Sequence, residues 1–149
     1  MTAKEKEMND LFGQHDAIRA QMRFLANSLM DLSSQLDSKV KKPVQVKEWL
    51  QNYCYALHDL RDGVRDHIEL DERIFKALSI DVKNKRLSSE HNTIKLQIDQ
   101  AVQLTEEAIN AVMNVEELHQ RALEIKTIVE KVRKLIDTHT AKEDELLKL

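Results

Sequence analysis

The chain has 149 residues, 42% of them hydrophobic, 33% charged and only 4% aromatic, with two glycines and one proline. That length suits a single domain, and so few turn-forming residues argue against a β-sandwich, a barrel or an α/β sheet with its many crossovers. A formal charge of −3, from 23 basic and 26 acidic residues, leaves no basic footprint for nucleic acid.

The single cysteine, Cys54, excludes an internal disulfide framework and a cysteine-based zinc site, and it suits a reducing compartment. No apolar run approaches the ~20 residues of a membrane span. Met1–Asp10 is charged and lacks the apolar centre of a secretory signal. The expectation is a cytoplasmic, all-α protein with neither nucleic acid nor membrane as partner.

Apolar residues recur in alternating steps of four and three. That is the stripe of an amphipathic helix facing a bundle core. The first stripe is Leu11, His15, Ile18, Met22, Leu25, Leu29, Leu32 and Leu36. It gives way to a solvated stretch, Lys39–Lys42, after which Pro43 suits the opening turn of a second helix. The second stripe is Trp49, Tyr53, Ala56, Leu60, Val64, His67, Asp71, Ile74 and Leu78. Trp49, Tyr53 and Tyr55 are expected in the core or at its rim.

Ser79–Arg86 reads as a polar connection, with Ser88 or Ser89 capping the third helix. The third stripe is Leu87, His91, Ile94, Ile98, Ala101, Thr105, Ala108 and Val112. A turn near Met113–Val115 follows, and Asn114 with Glu117 forms a capping pair for the fourth helix. Its stripe is Leu118, Ala122, Ile125, Val129, Val132, Ile136, His139, Glu143 and Leu146. The prediction is one domain over 1–149, with helices over about 10–38, 43–79, 87–113 and 115–148. Four long helices with short connections imply an up-down-up-down antiparallel bundle.

Four of the six histidines, His15, His67, His91 and His139, lie in the stripes, one per helix, whereas His58 and His119 lie off them. In an up-down bundle the starts of helices 1 and 3 share one end with the finishes of helices 2 and 4. At ~1.5 Å rise per residue, the four stripe histidines then fall within roughly 10 Å of one level. Asp71 and Glu143 each follow a stripe histidine by four residues, which stacks both side chains on one helix face. Burying four imidazoles and two carboxylates together is costly unless cations compensate. Imidazole suits iron, zinc, copper or nickel, while carboxylates suit iron and manganese and can bridge two ions. The set describes a dinuclear centre with His15, His67, His91 and His139 as terminal ligands and Asp71 and Glu143 as bridges. Phe12, Phe24, Ile68, Phe75 and Ile94 are the candidates for an apolar wall beside it.

At these positions the chain resembles the hemerythrin family in its broad HHE cation-binding sense. The resembling segments are His15-Asp16-Ala17-Ile18-Arg19, His67-Ile68-Glu69-Leu70-Asp71-Glu72, Glu90-His91-Asn92 and His139-Thr140-Ala141-Lys142-Glu143-Asp144-Glu145. The resemblance runs from about Leu11 to Leu147. Three departures stand out. Asp71 replaces the usual glutamate, with Glu72 beside it. Lys95 stands where oxygen carriers have a second histidine on the third helix. The fourth helix offers both Glu143 and Asp144, of which Glu143 follows the stripe.

The resemblance implies a hemerythrin-like four-helix bundle holding two non-haem iron ions, oxo- or hydroxo-bridged, with manganese or zinc as lesser alternatives. It implies O2 or another small diatomic or peroxide ligand. The leading expectation is a protein that binds or senses O2 rather than an enzyme, and a sensor would need a protein partner. The alternatives are a di-iron enzyme that reduces peroxide or nitric oxide or oxidises iron, and an interaction module that metal only stabilises.

Overall fold

A computed structural model of the chain describes residues 2–34, 43–77, 84–111 and 114–147. Among the described residues there are four helices and no strand: α1 (Ala3–Ser34), α2 (Pro43–Ala77), α3 (Asn84–Asn110) and α4 (Val115–Leu147). Each helix packs on the next, α4 returns to α1, and α2 also touches α4 across the middle, giving a four-helix bundle. Lys47, early in α2, donates from Nζ to the carbonyl of Ala111, just past α3, at 2.8 Å. No helix among the described residues is long and apolar enough to cross a membrane.

Two helix starts differ from the predicted ones. α1 begins at Ala3 rather than near residue 10. Thr2 and Glu5 make a reciprocal capping box: the Glu5 amide donates to Thr2 Oγ1 at 3.1 Å, and the Thr2 amide donates to Glu5 Oε2 at 3.0 Å. The extra turns are mostly solvent-exposed, so they carry no apolar stripe. α3 begins at Asn84, which makes Asn84–Arg86 helical and places Ser88 and Ser89 inside the helix rather than at its cap. The Ser89 carbonyl accepts from Thr93 Oγ1 at 3.0 Å. The fourth helix opens as expected: Asn114 Oδ1 accepts the Glu117 amide at 2.8 Å, and Asn114 Nδ2 donates to Glu117 Oε1 at 3.1 Å. Pro43 is the first residue of α2. The predicted ends near 38, 79, 113 and 148, the stretch Lys39–Lys42, and the side chains of Leu32, Leu36, Leu78, Leu87, Val112 and Leu146 lie outside the described residues.

The described stripe positions line the interior. Met22, Leu29, Tyr53, Leu60, Ile98, Leu118, Ile125 and Ile136 have essentially no solvent contact. Ala26, Leu50, Leu57, Cys54 and Val102 are buried beside them, so the apolar face is wider than a two-position seam. Buried Thr105 and Thr140 satisfy their hydroxyls on the carbonyls one turn back, Ala101 and Ile136. Trp49 is half-buried and stacks on buried Tyr53 with ring centroids 4.6 Å apart. Tyr55, by contrast, stands 62% exposed. The apolar core is in two parts. A large cluster fills most of the bundle, and a small one comprises Leu11, Leu70 and Ile74 with Met8 and Phe12 against them. Ile18 touches both.

Candidate metal centre

Between the two apolar clusters lies a polar layer. His15, His67, Asp71, His91, His139 and Glu143 are all buried, from 0 to 4% exposed. α1 supplies one imidazole, α3 one, and α2 and α4 each an imidazole with a carboxylate one turn later. The rings crowd together: His15 stacks on His67 at 4.9 Å, and His91 meets His139 edge-on at 4.3 Å. One donor atom from each of His67, Asp71, His91, His139 and Glu143 lies within 4.8 Å of all the others, so the group could hold a metal ion. His15 joins them through close contacts to Asp71 and, at 3.0 Å, to Glu143.

The contacts divide by oxygen. On Asp71, Oδ1 faces His15 Nε2, while Oδ2 faces the Nε2 atoms of His91 at 2.8 Å, His67 at 3.1 Å and His139 at 3.9 Å. On Glu143, Oε2 faces His15, while Oε1 faces His67 at 3.0 Å, His91 at 3.3 Å and, closely, His139. Both carboxylates thus present one oxygen to a single imidazole and the other to three.

These groups converge more than they pair. The His67 and His91 contacts to Glu143 have hydrogen-bond geometry. Both Asp71 oxygens, Glu143 Oε2, His15 Nε2 and His139 Nε2 are buried with no hydrogen-bond partner among the described residues. Native interiors rarely leave so many polar atoms unsatisfied together, and cations at the point of convergence would satisfy them. The donor set therefore fits a metal site.

Without a cation, protons must balance the charge. Burial alone would lower the imidazole pKa values, but Asp71 and Glu143 outweigh it and raise His15 to about 9 and His139 to about 10. His91 moves the same way for the same reason. Burial alone would raise the two carboxyl groups, yet the four surrounding imidazoles hold Asp71 and Glu143 well below the usual carboxylate range.

The neighbouring carboxylates fall outside the layer. Glu72 is exposed. Asp144 is drawn to the rim by a close ion pair with Arg19 and by Arg23 at 3.8 Å. Arg19 itself is 9% exposed and also pairs with Asp16. Lys95 points to solvent. Phe75 and Ile94 are fully buried, and Phe12 and Ile68 are half-buried. Phe24 is 69% exposed and does not belong to the wall. It lies nine residues after His15, about two and a half turns, which puts it on the opposite helix face. His58 and His119 are half-buried and lie outside the layer.

Glu90 is the residue that the spacing argument missed. Its Oε2 accepts from His139 Nδ1 at 2.9 Å, and its Oε1 pairs closely with Lys142 Nζ. A carboxylate can only accept here, so Nδ1 carries a proton, and His139 on shedding its other proton would present the Nε2 lone pair to the layer. Lys142 and His139 hold Glu90 below its ordinary pKa despite partial burial. A groove of about 220 Å³ between α3 and α4 runs along the outside of His139, lined by Glu90, Ile94, Leu135 and the lysines Lys131, Lys134 and Lys142. No protein-family model, no curated protein and no solved structure matches the chain.

Proposed function

We propose that the chain is a hemerythrin-like non-haem di-iron protein, an up-down-up-down antiparallel bundle that binds or senses O2 at a carboxylate-bridged pair of ions. The observation that carries this reading is the shared division of Asp71 and Glu143, one oxygen toward His15 and the other toward His67, His91 and His139. Two carboxylates that split in the same sense suit two cations side by side. The meeting of early α1, late α2, early α3 and late α4 at one level supports the antiparallel course, as does the contact of Lys47 with Ala111 at another level.

Four imidazoles with two carboxylates suit iron. Manganese favours sites richer in oxygen, and zinc mostly takes four ligands in all around a single ion. When bound, a ferrous pair supplies the electrons that O2 takes up. The residues of the chain set the conditions for that chemistry. The His15 side has the fewest protein donors. Glu90 fixes the His139 tautomer, and Arg19 keeps Asp144 out of the layer. The lysine-lined groove beside His139 suits the approach of a small or anionic ligand. A cytoplasmic setting would keep both ferrous iron and the Cys54 thiol reduced. A sensing role would pass the ligand state to a protein partner.

Metal analysis with an absorption spectrum tests the proposal, on protein purified in air and again after anaerobic reduction and re-exposure. The expected result is about two irons per chain, with near-ultraviolet charge-transfer bands that bleach on reduction and return with O2. Zinc or no metal, a flat spectrum and a melting temperature unmoved by chelation would overturn it and leave a four-helix interaction module.

A further inference from the structure

A second group of metal-ligand side chains lies away from the polar layer. Cys54 and His58 are one turn apart on α2, and Glu106 faces them from α3. One donor atom from each lies within 4.8 Å of the other two. His58 Nε2 is 3.2 Å from Glu106 Oε1. Cys54 is buried at 7% exposed, whereas the His58 and Glu106 side chains are 35% and 52% exposed. His58 precedes His67 by nine residues, roughly 14 Å along the helix, so the two groups share no ligand.

We propose that Cys54, His58 and Glu106 form a separate site for one zinc-class divalent cation, with water completing the coordination. Thiolate, imidazole and carboxylate are the three donor types that such borderline-soft ions take, and three protein ligands with one open position form a recognised zinc arrangement. Ligand bonds of about 2.0–2.3 Å in a tetrahedron place donors about 3.4–3.7 Å apart. The His58–Glu106 separation is already within a few tenths of an ångström of that. The thiol closes the remainder by side-chain rotation.

Without a cation, Arg61 takes its electrostatic place. Its Nη2 donates to His58 Nδ1 at 2.6 Å, so the ring proton sits on Nε2 and is shared with Glu106. Burial, aided by Glu106, pushes the Cys54 thiol up and keeps it protonated, with Arg61 opposing. Cation binding then has a definite proton balance. The thiol proton leaves to solvent, the ring proton moves from Nε2 to Nδ1, and no electron moves. Arg61 must withdraw, and Asp99 Oδ1 lies 3.8 Å from its Nη1 to receive it. One cysteine suffices for such a mixed site. The cysteine count excludes only sites built on several cysteines, and spacing within α2 does not reveal Glu106, which comes from another helix.

Cobalt(II) titration of the full chain tests the assignment. A thiolate-to-cobalt charge-transfer band in the near ultraviolet reports Cys54 alone, since the chain has one cysteine and the polar layer has none. The expected result is a band that saturates, is displaced by zinc, and is absent in Cys54→Ser. Binding should weaken about tenfold or more in His58→Ala and in Glu106→Gln, and tighten in Arg61→Gln. Both ligand variants change partly exposed side chains, and far-ultraviolet circular dichroism confirms their folding. No band at saturating cobalt would overturn the site. So would a band of undiminished affinity in His58→Ala and Glu106→Gln, which would mean that the thiol binds alone.

Discussion

Replacing Glu90 by alanine leaves all six residues of the polar layer in place and removes only the carboxylate behind His139. Two interactions disappear, the 2.9 Å bond from His139 Nδ1 and the pair with Lys142. Partners of this kind orient a ligating imidazole and raise its basicity, and their loss costs about 10–100-fold in metal affinity. Glu90 keeps 24% of its side chain in solvent, so water replaces part of what is lost. The lower half of the range follows, about 10- to 30-fold, or about 1.4–2 kcal/mol. Competition against a chelator of known affinity measures it directly. Glu72→Ala is the control, since that carboxylate is adjacent to Asp71 in sequence but faces solvent. A loss under about threefold for Glu90→Ala, or an equal loss for Glu72→Ala, would refute the role given to Glu90.

Glu143→Gln should lower the bound metal per chain, while Asp144→Asn should leave it unchanged, because Asp144 is held at the rim by Arg19; metal analysis after gel filtration decides, and the reverse pattern would exchange the two residues. In the metal-free chain, His15 and His139 keep their protons up to about 9 and about 10 against 6.5 for the free side chain, so their stabilisation is full below pH 6.5 and fades as pH rises through those values. The depressed Asp71 and Glu143 stabilise fully above the ordinary carboxyl values of 3.8 and 4.5 and lose that contribution as pH falls below them. The metal-free melting temperature should therefore peak between those limits and decline toward alkaline pH, while cation affinity rises over the same alkaline range as the ligands shed protons. A flat metal-free melting profile from about pH 6 to 10 would contradict the charge balance. Leu60→Ala, at a site with no solvent exposure, should cost about 2–5 kcal/mol in urea unfolding, whereas Leu96→Ala, 67% exposed, should cost less than about 0.5 kcal/mol.

The helices and the buried layer were readable in the sequence because both follow from spacing within one helix. The step of three and four placed His15, His67, His91 and His139 in the interior together with Asp71 and Glu143, and the structure buries all six. The same spacing separated inner Glu143 from rim Asp144. What escaped depends on pairs between helices or on ends without an apolar face. Glu90 and His139 are 49 residues apart, and nothing in either segment announces the bond. Cys54, His58 and Glu106 meet for the same reason, across α2 and α3. The start of α1 was hidden because its first turns are solvated, although Thr2 and Glu5 carry the capping pattern in plain order. Phe24 was misplaced by treating an aromatic residue as interior without following its angle around the helix.

The split core gives the bundle two regions of unequal strength. Among the described residues beyond the polar layer, a small cluster of Leu11, Leu70 and Ile74 has Met8, Phe12 and Ile18 against it. That cluster is thin beside the one filling the rest of the bundle. A cation gripping all four helices at the layer would act as a clasp, and its removal would free the terminal turns of α1 and α2 as a local unit while the larger cluster stays folded. Amide hydrogen exchange would show this as lost protection around Leu11 and Ile74 with Leu60 and Ile98 unchanged. Metal occupancy, set at one level inside the bundle, would then be readable from outside as the opening or closing of one end.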